Sequence, residues 1–223
     1  MDDDRERVAL FDMDGTLVDT NYLHVVAWSE AFRQAGHTVP MAEIHRCVGM
    51  GSDHLVERLL GEARDTSRDD AISAAHKALY ATHSATLTPL EGAADLLRAV
   101  AARGRRIVLA TSADAVEPAA MRAALDADDV IDDATSADDV SASKPAPDLV
   151  RRALDRAGVD ADRAVFVGDT VWDVLAAGRA GVPCVALLSG GVPRADLEDA
   201  GAVAVHHDPA DLLRSLDGSP LSA

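Results

Sequence analysis

Five short apolar runs punctuate the chain: Val8-Ala9-Leu10-Phe11, Ile107-Val108-Leu109-Ala110, Val165-Phe166-Val167, Val185-Ala186-Leu187-Leu188 and Val203-Ala204-Val205. Each is apolar throughout rather than alternating with polar residues, the signature of strands buried on both faces of a parallel sheet. Between them, three- and four-residue apolar spacing predicts helices over about 91–102, 147–157, 171–180 and 210–216. Such alternation of helix and strand predicts an α/β fold, a doubly wound Rossmann-like parallel sheet covered by helices.

One segment departs from that rhythm. After the first run, Val25, Trp28, Phe32 and Ala35 repeat at helical spacing up to Gly36, and further helical patterns cover about 41–47, 52–60 and 68–81 with no strand among them. The predicted organisation is therefore a core of residues 1–18 and 88–223, with residues 19–87 inserted after the first strand as an α-helical cap. An insertion there emerges at the mouth of whatever the strand ends build. The closing Gly218-Ser219-Pro220 stretch reads as a frayed tail.

Chemistry gathers where the apolar runs stop. Asp12, Asp14, Gly15 and Thr16 follow the first, Thr111-Ser112 the second, and Gly168-Asp169, with Asp173 four residues on, the third. A parallel sheet brings these carboxyl ends to one edge, where ligands bind in open α/β folds. A loop contributes Lys144-Pro145. Carboxylates supply the hard oxygen ligands that suit Mg²⁺, while a Thr hydroxyl and an ammonium can hold phosphate oxygens. Alone, each feature has a plainer reading: Asp-x-Asp-Gly as a turn, Thr111-Ser112 as a helix cap, Lys144 as a solvated loop cation, Asp169 and Asp173 as first-turn residues favoured by the helix dipole. Their occurrence together, in order, favours the shared site.

Composition narrows the partners. In 223 residues, 48% hydrophobic and 26% charged, Asp and Glu outnumber Lys and Arg 38 to 21 and leave a formal charge of −17. That surface repels polyanions, so neither nucleic acid nor an anionic membrane is an expected partner. A small anionic substrate requires a local reversal of sign, by cations or a bound metal. Lys77 and Lys144 are the sole lysines in an arginine-dominated chain, which draws attention to Lys144. The two cysteines, Cys47 and Cys184, read as buried hydrophobes in a reducing compartment. With no signal-like amino terminus and no bilayer-length apolar run, a cytoplasmic location is expected.

The series Asp12-x-Asp14-Gly15-Thr16, Thr111-Ser112, Lys144-Pro145 and Gly168-Asp169-Thr170-Val171-Trp172-Asp173 resembles the four motifs of the haloacid dehalogenase-like superfamily in its phosphohydrolase form. The helical insertion is similar to that family's first type of cap. The resemblance spans the whole core and implies a Mg²⁺-dependent phosphatase acting on a small phosphorylated metabolite through an aspartyl-phosphate. On that reading Asp12, with an ordinary carboxylate pKa of about 3.9 and ionised at neutral pH, is the nucleophile, and Asp14 carries protons to the leaving group and from water. Thr111 and Lys144 bind the transferring group. Asp12, the Asp14 main-chain carbonyl and Asp169 hold the metal, with Asp173 in support.

Thr16, Ser112, His24 and Met50 complete the expected substrate-binding set. His24 belongs to Tyr22-Leu23-His24, a partial match to a stretch of the family's sugar-phosphate mutases, and otherwise reads as a solvated helix histidine. Trp28 reads as cap core and Gly49-Met50-Gly51 as a loop facing the substrate. Two enzymatic alternatives share the fold. A sugar phosphomutase of the beta-phosphoglucomutase type needs a cap-loop cation that Gly49-Met50-Gly51-Ser52 lacks, and a haloacid dehalogenase has no use for a second carboxylate at Asp14. A silent phosphate-binding module would have lost a catalytic group. The chain is expected to act as a monomer or homodimer.

Overall fold

A computed structural model describes residues 7–112, 117–136, 140 and 142–222. Six strands, β1 (Arg7–Phe11), β2 (Arg105–Ala110), β3 (Asp133–Thr135), β4 (Ala164–Gly168), β5 (Cys184–Leu187) and β6 (Ala204–His206), form one parallel sheet in the order β3-β2-β1-β4-β5-β6. The order reverses at β1, and the crevice beyond its carboxyl end is where a doubly wound sheet binds ligands.

Strand periodicity sorts the core. Ala9 and Phe11 of β1, with Val165 and Val167 of β4, face one apolar cluster. Val8, Leu10, Ala164 and Phe166 face another on the opposite side of the sheet. Both faces are thus filled, which is why these runs are apolar throughout. The helices covering them are α5 (Ala93–Ala101), α6 (Glu117–Leu125), α7 (Asp148–Ala157), α8 (Val171–Arg179), α9 (Arg194–Asp199) and α10 (Pro209–Arg214).

Between β1 and α5 lie α1 (Asn21–Gln34), α2 (Met41–His45), α3 (Ser52–Leu60) and α4 (Asp69–Ala81). Their apolar stripes close on one another in a third cluster built around Val25, Trp28, Phe32, Ile44, Leu55 and Ile72, so Trp28 is core of this helical unit. The two chain segments that lead in and out are tied side by side: Asp19 N–H donates to Thr88 O at 2.9 Å and Leu90 N–H to Leu17 O at 2.9 Å.

Three expectations need correction. The short strand β3 lies in a stretch too polar to announce itself, and is recruited by pairing with β2. The carboxyl-terminal stretch is not frayed: Leu221 is fully buried, and the buried Arg105 guanidinium donates to the carbonyls of Leu221 and Pro220 at 3.1 and 2.9 Å. His24 is not solvated; it is buried between the helical unit and the sheet edge. Both cysteines are free and buried. Among the described residues no helix is long and apolar enough to cross a membrane.

Candidate active site

The strand ends deliver their side chains as a parallel sheet must. Asp12 leaves β1 with its N–H on Val167 O of β4 at 2.9 Å, Thr111 leaves β2, and Asp169 leaves β4. Asp173 belongs to the first turn of α8, where its carboxylate accepts from Thr170 N–H at 3.0 Å and Thr170 Oγ1 at 2.6 Å while Thr170 caps the helix in return. This Thr-x-x-Asp capping box fixes the carboxylate by local chemistry alone. Oxygens of Asp12, Asp169 and Asp173 lie within 4.8 Å of one another, all buried.

Lys144 is the counterion at the centre. Its ammonium, 1% exposed, lies 2.6 Å from Asp12 Oδ1 and 2.7 Å from Asp173 Oδ1. Burial pulls its pKa down, but the two carboxylates outweigh that and hold it above the ordinary lysine value. Three carboxylates against one ammonium leave two negative charges in excess, and the pKa values of the acids register it. Burial pushes Asp12 well above the usual carboxylate range; Lys144 opposes this, while Asp173, Asp169 and Asp14 add to it. The Asp12 carboxyl is thus not at the ordinary carboxylate value expected from the sequence. Asp169 is pushed up to about 7, by burial first and then by Asp173, against hydrogen bonds from Asn21 and Thr16.

A buried set of hard oxygens with an excess of two negative charges fits a divalent hard cation in both charge and donor type. The surroundings also make room: a Cβ on Gly190, or on Gly15 at φ +68°, would land on the Asp169 carboxylate, so only glycine fits at either place.

Asp14 is handled differently. Its side chain stands apart from the three-carboxylate cluster, so only its main chain is left as a candidate ligand. Oδ1 receives Thr20 Oγ1 at 2.6 Å and His24 Nε2 at 3.0 Å. Burial raises its pKa, but the His24 charge and hydrogen bond, the Thr20 hydroxyl and Lys144 together bring it below the ordinary value. Thr20 sits at the N-cap of α1 yet gives its hydroxyl to Asp14 rather than to the helix.

The remaining expected residues divide. Thr16 is fully buried and donates to Asp169 Oδ1 at 2.9 Å, so it orients a carboxylate instead of facing substrate. Ser112 reaches Gly49 O at 3.4 Å, and Met50 packs against the cap cluster while its backbone lies in that same loop. Gly49, at φ +92°, lies close enough to Thr170 that an added Cβ would stand 2.9 Å from its Oγ1. Three residues escaped the sequence reading. Asn21 donates to Asp169 Oδ2 at 2.7 Å, Thr20 to Asp14, and His76 pairs with His24. A polar residue on an apolar stripe, His76 between Ile72 and Tyr80 of α4, was the available signal for the last.

Comparison with known proteins agrees with this geometry. A family model for haloacid dehalogenase-like hydrolases matches residues 6–181. A phosphoglycolate phosphatase of Rhodospirillum rubrum is 35% identical over 217 residues, covering 92% of this chain and 89% of that protein. Among solved structures, a hydrolase from Pseudomonas syringae matches with a TM-score of 0.90 at 35% identity, covering 96% of this chain and 99% of its own. CbbY from Rhodobacter sphaeroides, solved in complex with phosphate, matches at 0.76 and 26% identity over 93% and 96% of the two chains. The breadth of these matches, spanning both the sheet and the helices inserted into it, shows that the chain belongs to the haloacid dehalogenase-like hydrolases, as a phosphoric monoester hydrolase.

Proposed function

We propose that this protein is a Mg²⁺-dependent phosphatase that hydrolyses a small phosphorylated metabolite through a phosphorylated Asp12. The observation that carries the reading is the buried cluster of Asp12, Asp169 and Asp173 around Lys144 at the sheet's switch point, short of two positive charges. Asp12, Asp169 and the Asp14 main-chain carbonyl would hold the ion, supported by Asp173. When bound, Mg²⁺ supplies charge neutralisation between the anionic nucleophile and the phosphate.

Within the chain, Lys144 fixes the rotation of the Asp12 carboxylate and faces the phosphate with a charge that burial among carboxylates keeps permanent. An Asp12 oxygen attacks phosphorus, the ester bond breaks, and the leaving oxygen takes its proton from Asp14. Water then attacks the acyl phosphate, Asp14 takes the water's proton, and phosphate and free Asp12 result. Thr111 and Ser112, after β2, hold the transferring phosphoryl oxygens. Residues 1–18 and 88–223 act as the catalytic core and 19–87 as the cap, whose loop at Gly49-Met50-Gly51 meets the substrate's other end, while His24, expected to touch substrate, is engaged by Asp14 and His76 instead. The protein is read as cytoplasmic, a monomer or homodimer.

The match to a phosphoglycolate phosphatase supports substrates of that size. The mutase alternative has less support: the 49–52 loop carries no cation, and the nearby Arg58 guanidinium lies 5.3 Å over the Trp172 ring. Asp14, held as a proton carrier, speaks against a dehalogenase. Phosphate release from a panel of 2-phosphoglycolate, sugar phosphates and pyrophosphate, with Mg²⁺ and with a chelator, tests the reading. Turnover of at least one ester that needs Mg²⁺ and disappears in Asp12→Asn is expected. Turnover that survives the chelator or that substitution would overturn it.

A further inference from the structure

His76 of α4 is an imidazole sunk in the interior of the helical unit. It is 7% exposed, and its ring stacks on Trp28 of α1 with centroids 4.0 Å apart and 9° between planes. Its Nε2 lies 3.1 Å from Nδ1 of His24. His24 in turn stacks on Tyr80 of α4 at 4.0 Å and 4°, and points Nε2 at Asp14 Oδ1, 3.0 Å away. Two aromatic stacks and two hydrogen bonds thus link the interior of the cap to a carboxylate beside the strand ends.

Donor and acceptor rules fix most of this chain. A carboxylate only accepts, so the His24 nitrogen facing Asp14 carries a proton. With the His24 charge that lowers Asp14, Nδ1 carries a proton as well and donates to His76 Nε2 at 3.1 Å. Burial and the neighbouring His24 keep His76 well below the usual histidine pKa, with Lys77 adding to this and Asp14 opposing it, so a neutral ring fills the position. With Tyr80 stacked on its face, the His24 ring can turn only in its own plane, and the His76 bond selects one setting. Among the described residues, both side-chain donors to Asp14, His24 and Thr20, converge on Oδ1. Oδ2 is thereby left as the oxygen that exchanges protons.

We propose that His76 is a positioning residue acting through His24: it fixes the imidazole so that Nε2–H is delivered to Asp14 Oδ1, which reserves Oδ2 for the leaving group and water. The inference rests on the reading of Asp14 as the proton carrier.

The test combines His76→Phe, which keeps the stack on Trp28 but removes the hydrogen bond, with His76→Gln, whose side-chain carbonyl restores an acceptor near the place of Nε2. In the Mg²⁺-loaded enzyme, His76→Phe should lower kcat by about tenfold, part of the 10²- to 10⁴-fold that acid–base catalysis contributes, with KM within twofold. His76→Gln should recover most of it, and His76→Phe should add nothing to His24→Phe. Independently of turnover, ¹⁵N imidazole spectra of the wild type should show His24 Nδ1 hydrogen-bonded, and His76→Phe should shift that nitrogen. An unshifted His24 signal, unchanged kcat, or an equal loss in the His24→Phe background would overturn the proposal, and if the Phe variant fails to fold, the wild-type spectra and the Gln variant decide it. An Asp14→Asn enzyme of full activity would instead overturn the reading of Asp14, so the two failures are told apart.

Discussion

Asp12 and Asp14 are two residues apart in the chain and occupy opposite electrostatic settings. Asp12 is held from the core around the sheet: Lys144 of a loop on one oxygen, Asp173 of α8 and Asp169 beside it, and a pKa driven up by burial and crowded acids. Asp14 is gripped from the inserted helices by His24, and from the connection leading into them by Thr20, which together bring its pKa below the ordinary value. One carboxylate shares a single ammonium with neighbouring acids; the other is furnished with donors of its own. The difference teaches that the proposed nucleophile and the proposed proton carrier are set by different parts of the chain, so that on this proposal the helices inserted after β1 bear on proton transfer through His24.

The sharpest way to break this contrast is to remove the ammonium. Lys144→Met leaves Asp12 and Asp173 buried against each other without compensation, and breaking such a pair costs about 3–5 kcal/mol. A fall in turnover on the order of 10³-fold is expected from the lost charge stabilisation, together with a lower melting temperature. Calorimetry and phosphate release check both; near-native turnover would show that Lys144 is only structural.

Asp14→Asn probes the other side. It should reduce kcat by about 10²- to 10³-fold while leaving Mg²⁺-dependent thermal stabilisation intact, because the Asp14 side chain lies outside the three-carboxylate cluster. Loss of that stabilisation would place the side chain among the metal ligands and merge the two regions. The wild-type pH profile carries the same information. Asp14 rests as a carboxylate, the form water activation needs, whereas leaving-group protonation needs the acid. As the folded pKa lies below the ordinary value, the acid form grows scarcer with each step up in pH, and kcat/KM should decline toward the alkaline side.

How much of this could be read from the chain follows the same division. The Asp12 side was legible because strand ends in a parallel sheet converge by topology, so Asp12, Thr111 and Asp169 could be placed at one edge from apolar runs alone. Asp173 was legible as part of the Gly168–Asp173 motif, while the capping box that fixes its carboxylate is seen only in the structure. Lys144 stood out for scarcity, though nothing in a Lys-Pro loop says that its ammonium bridges two acids. The Asp14 side was opaque. Whether a helix histidine faces water or a carboxylate depends on how α1 rolls against α4, and that angle is decided by Trp28, His76 and Tyr80 packing over long sequence separations. Thr16 was read only in part for a related reason: a hydroxyl beside the acids can face substrate or orient Asp169, and its bond to Asp169 Oδ1 depends on packing.

A pH titration of stability separates the regions more gently. Asp169 is pushed up to about 7 in the folded protein against about 3.9 unfolded. Between those values the folded state binds a proton that the unfolded state has lost. Stability of the metal-free protein should therefore fall as pH rises from about 4 to about 7, by up to about 1.4 kcal/mol per unit. Chemical denaturation with a chelator present measures the slope, and Asp169→Asn should flatten it. Mg²⁺ should restore stability most at the alkaline end, by about 2.7 kcal/mol at a hundredfold excess over its Kd. A slope of opposite sign would mean that the acids are not crowded as described.

The smallest effect is expected where the two modules touch away from the acids. Trp172, at the start of α8, donates its indole N–H to Arg46 O at 3.2 Å and lies under the Arg58 guanidinium at 5.3 Å. Ser143 Oγ donates to Asp53 Oδ1 at 2.8 Å nearby, and His45 Nε2 meets Gly190 O at 2.8 Å across the site. Each contact joins the inserted helical segment to the core, so together they set how closely the Gly49-Met50-Gly51 loop approaches the strand ends. An exposed cation–π pair is worth about 0.5–1 kcal/mol, so Trp172→Leu should raise KM by about two- to fivefold and leave kcat and the stability slope of the acid cluster unchanged. If kcat fell with it instead, the docking of the helices would be coupled to the His24 contact on Asp14. Because Trp28 is the other tryptophan and lies buried among the inserted helices, substrate-dependent emission that vanishes in Trp172→Leu would report this interface alone.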